Sequence, residues 1–199
     1  MTEPITEPMT EPVTQPIESP LVCKQYAVFS GAFVEDGSDE PVENVAAVLI
    51  TNTSDRYLDL GQLTYQLDGQ EALFRVTGLP AGASAWVLEA SKRTAKDDSL
   101  FILQNVKTSF RDDARSSLEG LSIMASGNTL KVTNNRETTL RNVTLYYKAR
   151  NTDGNYLGGI TYMVTLGDLL PGQSAEKLSR HFLEGRTDIV RIGYQEDAA

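Results

Sequence analysis

The chain is poor in the residues on which most catalysis and metal binding rely. It carries one cysteine, Cys23, one histidine, His181, and one tryptophan, Trp86. A single thiol excludes an internal disulfide and any multi-cysteine metal site. A Ser-His-Asp or Cys-His arrangement would have to use His181, which stands in Ser179-Arg180-His181-Phe182, and no glycine-flanked serine elbow occurs anywhere. No apolar run approaches the roughly 18 residues that cross a bilayer as a helix, so no direct membrane insertion is expected. There is no cluster of Lys and Arg with interleaved aromatics, and the net charge is −9. That balance argues against nucleic acid as a partner, because phosphate recognition needs a concentrated basic patch. A glycine-rich phosphate loop is also missing; Gly158-Gly159 stands alone and is read as a bulge in a strand.

What acidity there is falls in polar runs. Asp36, Asp39 and Glu40, then Asp97 and Asp98, then Asp112 and Asp113 lie beside Gly or Ser, where carboxylates are simply solvated. Asn151-Thr152-Asp153-Gly154-Asn155 has oxygens at alternate positions, yet Tyr156 occupies the place where an EF-hand loop needs glycine, so a turn is expected there. No metal and no cofactor is expected. Cys23 follows Pro20, Leu21 and Val22, without the small residue and apolar segment that precede a lipidated cysteine, and is read as a buried or idle thiol.

The start repeats every four residues: Thr2-Glu3-Pro4, Thr6-Glu7-Pro8, Thr10-Glu11-Pro12, Thr14-Gln15-Pro16 and Ser19-Pro20. Each proline removes an N–H and fixes φ, and the residue before it is pushed to extended geometry. Residues 1–20 are therefore expected to form a disordered stalk. As polyproline II it would reach on the order of 60 Å, at about 3.1 Å per residue. This start has neither the basic residues nor the apolar stretch of a signal peptide, so an export or anchoring segment is expected to lie outside this chain.

After Pro20 the pattern becomes short β runs. Residues 26–34 are apolar and aromatic, and residues 45–50 are continuously apolar, as in a strand buried on both faces. Leu63-Thr64-Tyr65-Gln66-Leu67 alternates strictly, and Asp68-Gly69 supplies a hairpin turn. Turn signals recur roughly every 8–12 residues, the spacing of a sandwich or barrel. Only residues 89–98 have a helical composition, and they lie between strands.

The second half repeats the first. Val48-Leu49-Ile50-Thr51-Asn52 matches Leu130-Lys131-Val132-Thr133-Asn134; Leu58 matches Leu140, and Leu63-Thr64-Tyr65 matches Leu145-Tyr146-Tyr147 at the same offset. After a short insertion Asp68-Gly69 matches Asp153-Gly154, and Leu79-Pro80-Ala81-Gly82-Ala83-Ser84 parallels Leu170-Pro171-Gly172-Gln173-Ser174. Matches in one order indicate a tandem duplication. The two Asn side chains are expected to bond backbone two residues on, with Leu58 and Leu140 plugging the core beneath. Residues 111–117 form a polar join, which gives a first β-sandwich over 21–115 and a second over 116–199. Each half is roughly 85–95 residues, within the range that folds alone.

Thr133-Asn134-Asn135, Leu140-Arg141-Asn142-Val143-Thr144-Leu145-Tyr146-Tyr147 and Asp153-Gly154-Asn155 together resemble the FxLYD-type Ig-like module of bacterial extracytoplasmic and lipoprotein-like chains. The whole chain is similar to envelope proteins of gut Firmicutes. The resemblance implies an all-β protein of two tandem Ig-like sandwiches, located outside the cytoplasm on a cell surface or secreted. It brings no catalytic residues.

The expected function is a non-enzymatic structural or adhesion-type protein whose partner is a protein or glycan at the cell surface. The alternative is a pair of carbohydrate-binding modules, since flat aromatic rings stack on sugars. Tyr146, Tyr156, Tyr162 and Trp86 are the candidates. Strand alternation turns Tyr147 inward with Val143 and Leu145 and turns Tyr146 outward with Thr144 and Lys148, so that Tyr146 beside Tyr162 could form a platform.

Overall fold

The computed structural model describes residues 19–32, 40–111 and 118–196. Most of the stalk, Asp36 and Asp39, and residues 112–117 of the join lie outside the described residues. Every regular element is a strand: β1 (Leu21–Ala32), β2 (Pro41–Asn52), β3 (Tyr57–Leu67), β4 (Gln70–Leu79), β5 (Ser84–Leu88), β6 (Phe101–Arg111), β7 (Leu121–Ser126), β8 (Thr129–Asn134), β9 (Leu140–Ala149), β10 (Tyr156–Leu157), β11 (Tyr162–Leu169), β12 (Ser174–Leu178) and β13 (Thr187–Glu196). The protein is all-β.

The strands make two sandwiches with one plan. In the first, β1-β2-β5 faces β4-β3-β6; in the second, β7-β8-β12 faces β11-β9-β13. Strand for strand the halves correspond, and β10 is left over. Alternation along each strand sends one set of side chains between the sheets. Val48, Ile50, Leu58, Leu63, Tyr65, Phe74, Val76 and Leu79 fill the first core. Leu130, Val132, Leu140, Val143, Leu145, Tyr147 and Leu169 fill the second. Each such side chain contributes about 1.5–3 kcal/mol by leaving water.

The duplicated turns are built bond for bond. Asn52 and Asn134 are fully buried at the ends of β2 and β8. Asn52 Nδ2 donates to the carbonyls of Arg56 at 2.8 Å and Leu79 at 3.1 Å; Asn134 Nδ2 donates to Thr138 and Leu169, both at 2.9 Å. Their Oδ1 atoms accept from the backbone two residues on, Ser54 N and Arg136 N. Leu58 and Leu140 lie fully buried beneath. One pairing is shifted from the sequence match. Gly82 N donates to Asn52 O and Gly172 N to Asn134 O, which equates Leu79 with Leu169 and Pro80 with Leu170. Gly82 and Gly172 take φ of 71° and 74°, the positive value required at the third position of a type II turn. Pro171 thus takes the second position of its turn, whereas Pro80 takes the first position of its own.

Two further local expectations change. Residues 89–98 form no helix, because the buried Glu89 carboxylate accepts the backbone N–H groups of Leu73, Ser91 and Arg93 and folds the segment back along β2. Asp68-Gly69 is the two-residue hairpin of β3 and β4, with both φ positive as a type I′ turn demands. Its counterpart, Asp153-Gly154, is only the tip of a twelve-residue loop, 150–161, between β9 and β11. There Asn151 Oδ1 accepts from Asp153 N and Asn155 N, which makes the expected turn.

Candidate functional site at the junction of the sandwiches

The loop 150–161 acts as an arm reaching from the second sandwich onto the first. Its strand β10 adds parallel to the free edge of β5, with Tyr156 beside Ala85 and Leu157 beside Trp86. Gly158 N then donates to Trp86 O, and Gly159 O accepts from Thr77 N, both at 2.7 Å. Gly158-Gly159 is therefore no bulge within a strand. Gly158 turns the chain with φ of 78°, and a Cβ on Gly159 would overlap the Arg75 carbonyl oxygen. Next door, Gly78 takes φ of 58°, and a Cβ there would stand 2.8 Å from Tyr57 Oη and collide with Thr161. Thr161 Oγ1 donates to Thr77 O at 2.8 Å.

Tyr156 is the anchor. It is 9% exposed and belongs to the hydrophobic core of the first sandwich, although the second sandwich carries it. Its hydroxyl donates to Asp188 Oδ2 at 3.0 Å, and Arg150 pairs with the same carboxylate. Burial first, and then the neighbouring Asp188 charge, push the Tyr156 hydroxyl well above the ordinary phenol range. Val190 of β13 also packs against the first core.

Outward side chains of β9 complete the junction. Lys148, 1% exposed, donates from Nζ to the carbonyls of Thr77 and Ile160. The Arg191 guanidinium lies 3.7 Å from the Tyr146 ring centroid. Arg191 also neighbours the Tyr57 hydroxyl, which burial pushes up to about 12 against the opposing effect of that cation.

The four candidate aromatics thus occupy different surroundings. Tyr156 is buried in the junction. Trp86, half-buried, packs on the outer face of its sheet against Val45, Ala47 and Leu88, and its carbonyl is held by the arm. Tyr146 points outward as alternation requires, but one face of its ring is covered by Arg191. Tyr162 pairs with Tyr147 across β11 and β9, so it lies on the opposite face of the sheet from Tyr146. It stacks on Tyr147 with centroids 5.5 Å apart and meets the His181 ring at 4.5 Å. The structure does not bring Tyr146 and Tyr162 into one platform. Sequence reasoning missed Lys148, Asp188 and Arg191; Lys148, predicted to point outward, was the one available signal.

Beside the junction a cleft of about 810 Å³ opens between the edges β7 and β13 of the second sandwich. Ile123, Ala125, Leu130, Phe182, Thr187 and Ile192 line it, together with Pro80 of the first sandwich and Tyr156 of the arm. Elsewhere, the Cys23 thiol is half-buried, and burial raises it away from the reactive thiolate form. Among the described residues no group of three or more His, Cys, Asp or Glu could hold a metal ion, and no helix is long and apolar enough to cross a membrane. No protein-family profile matches the chain, and no curated protein matches it either.

Proposed function

We propose that the chain is a non-catalytic, extracytoplasmic structural or adhesion-type protein: two Ig-like sandwiches locked end against end to present a surface to a protein or glycan partner. The observation that carries this reading is the arm 150–161, whose Tyr156 ring and backbone bonds join the second sandwich to the first. An interface with a buried ring, a buried ammonium and glycines required for close approach favours a fixed geometry over free hinging. A fixed geometry suits display and load transfer. The chemistry at the junction supports the same reading: Lys148 Nζ bonds across it to Thr77 O, Arg191 neighbours Tyr57 of the first sandwich, and Asp188 with Arg150 holds the hydroxyl of the inserted Tyr156 from within the second.

The test is display. Antibody raised to residues 19–196 should label intact, unpermeabilised cells of the source organism, and brief protease treatment of those cells should remove the signal. Label appearing only after lysis would sink the proposal. A glycan array addresses the carbohydrate-binding alternative. Binding abolished by both Tyr146→Ala and Tyr162→Ala would favour that alternative, although the two rings lie on opposite faces.

A further inference from the structure

The two copies of the sandwich differ in how the gap between their sheet edges is closed. In the first, Tyr26 of β1 and Phe101 of β6 close the gap between the sheet edges, with ring centroids 4.5 Å apart. Tyr26 pairs with Val48, and Phe101 pairs with Leu67. In the second, the residue paired with Leu130, the match of Val48, is Ala125; the residue paired with Ala149, the match of Leu67, is Thr187. Two aromatic rings are thus replaced by a methyl group and a short hydroxyl side chain, and both replacements line the 810 Å³ cleft. The strands beside it are edges: among the described residues β7 pairs only with β8, and β13 only with β9.

We propose that this cleft receives an extended segment of a partner protein, which adds along the β7 edge and inserts a Tyr or Phe side chain between Ala125 and Thr187. Two observations select that occupant. In the first copy a phenol and a phenyl ring lie against each other across the equivalent edge, Phe101 partly buried against the core and Tyr26 covering it from the solvent side. The cleft is also continuous with an interface that already works this way, because Tyr156 and Pro80 are among its lining residues, and Tyr156 belongs to an arm that adds to a sheet edge and inserts an aromatic ring into the neighbouring core. Strand addition supplies main-chain hydrogen bonds, and the inserted ring supplies specificity. The site depends only on its walls, so it goes beyond the display role and would stand if surface labelling failed.

The probe is a synthetic peptide of residues 24–29, Lys-Gln-Tyr-Ala-Val-Phe, titrated into the full chain and followed by amide NMR shifts. Saturable shifts confined to β7, β13 and Phe182 are expected. Affinity should fall at least tenfold for the same peptide with Ser in place of both Tyr and Phe, and equally for the filled variant Ala125→Tyr/Thr187→Phe. If that double variant does not fold, Ala125→Leu alone should weaken binding in the same direction. Absence of saturable shifts at millimolar peptide, affinity unchanged in a folded filled variant, or free p-cresol binding as tightly as the peptide would each overturn the proposal.

Discussion

Replacing Gly159 with alanine strikes the junction at its tightest point. The residue is not in the left-handed region, so alanine is acceptable to the backbone; the obstacle is steric. Its Cβ would overlap the Arg75 carbonyl oxygen and come within 3.2 Å of Val87 Cγ1. A backbone carbonyl cannot rotate away as a side chain can, so the arm must lift. Lifting breaks Gly159 O from Thr77 N and Gly158 N from Trp86 O. Two such bonds are worth about 1 kcal/mol each. Partial exposure of Tyr156 adds about 1–2 kcal/mol, from the roughly 25 cal/mol per Å² of apolar burial. The expected loss is about 3–4 kcal/mol. Calorimetry is the assay. The wild type should unfold in one transition whose calorimetric and van't Hoff enthalpies agree, whereas Gly159→Ala should show two transitions as the halves uncouple. Gly154→Ala, in the same arm, is the control: its Cβ meets nothing within 4 Å, and only its φ of +83° is unfavourable, at about 1 kcal/mol. A Gly159→Ala protein that melts like the wild type in a single transition would refute the reasoning.

Other substitutions follow from the same contacts. Tyr156→Phe should cost about 1 kcal/mol through the lost bond to Asp188, and Tyr156→Ala about 3–5 kcal/mol through the cavity left in the first core, both read by urea denaturation. Asn134→Asp would point a carboxylate at the carbonyls of Thr138 and Leu169. It should cost about 3 kcal/mol at pH 7 and recover part of this as pH falls and the acid protonates, which a pH series of melting temperatures will show. Tyr57 holds its proton to about pH 12 in the folded state against an ordinary value of 10.0. Its contribution is intact below pH 10 and is lost as pH rises from 10 to 12, at up to about 1.4 kcal/mol per pH unit. Tyr57→Phe should flatten that part of the stability profile.

Much of the fold was legible in the sequence because its signals are local. Strict alternation around Leu63-Thr64-Tyr65 marked β3, Asp68-Gly69 marked its hairpin, and Thr51-Asn52 with Thr133-Asn134 marked the paired turns. Inward Tyr147 and outward Tyr146 followed from the same period of two. The junction was not legible. Tyr156-Leu157 is too short to show a period, and its partners, Ala85 and Trp86, lie far away in the chain. Lys148 was placed outward correctly, but no pattern says that the outer face of its sheet is covered by the other sandwich. The twelve-residue loop around Asp153-Gly154 reads as a turn in the sequence because its tip is one. Ala125 and Thr187 were not legible either, since small residues in strands carry no signal until their counterparts, Tyr26 and Phe101, are aligned by strand pairing.

Residual dipolar couplings measured on the full chain test the fixed junction most directly. Couplings from residues 40–111 and from residues 118–196 should fit one common alignment tensor, in magnitude as well as direction. Two halves that require tensors of different magnitude would mean that the sandwiches tumble separately, and the arm would then be a passing contact with no structural role.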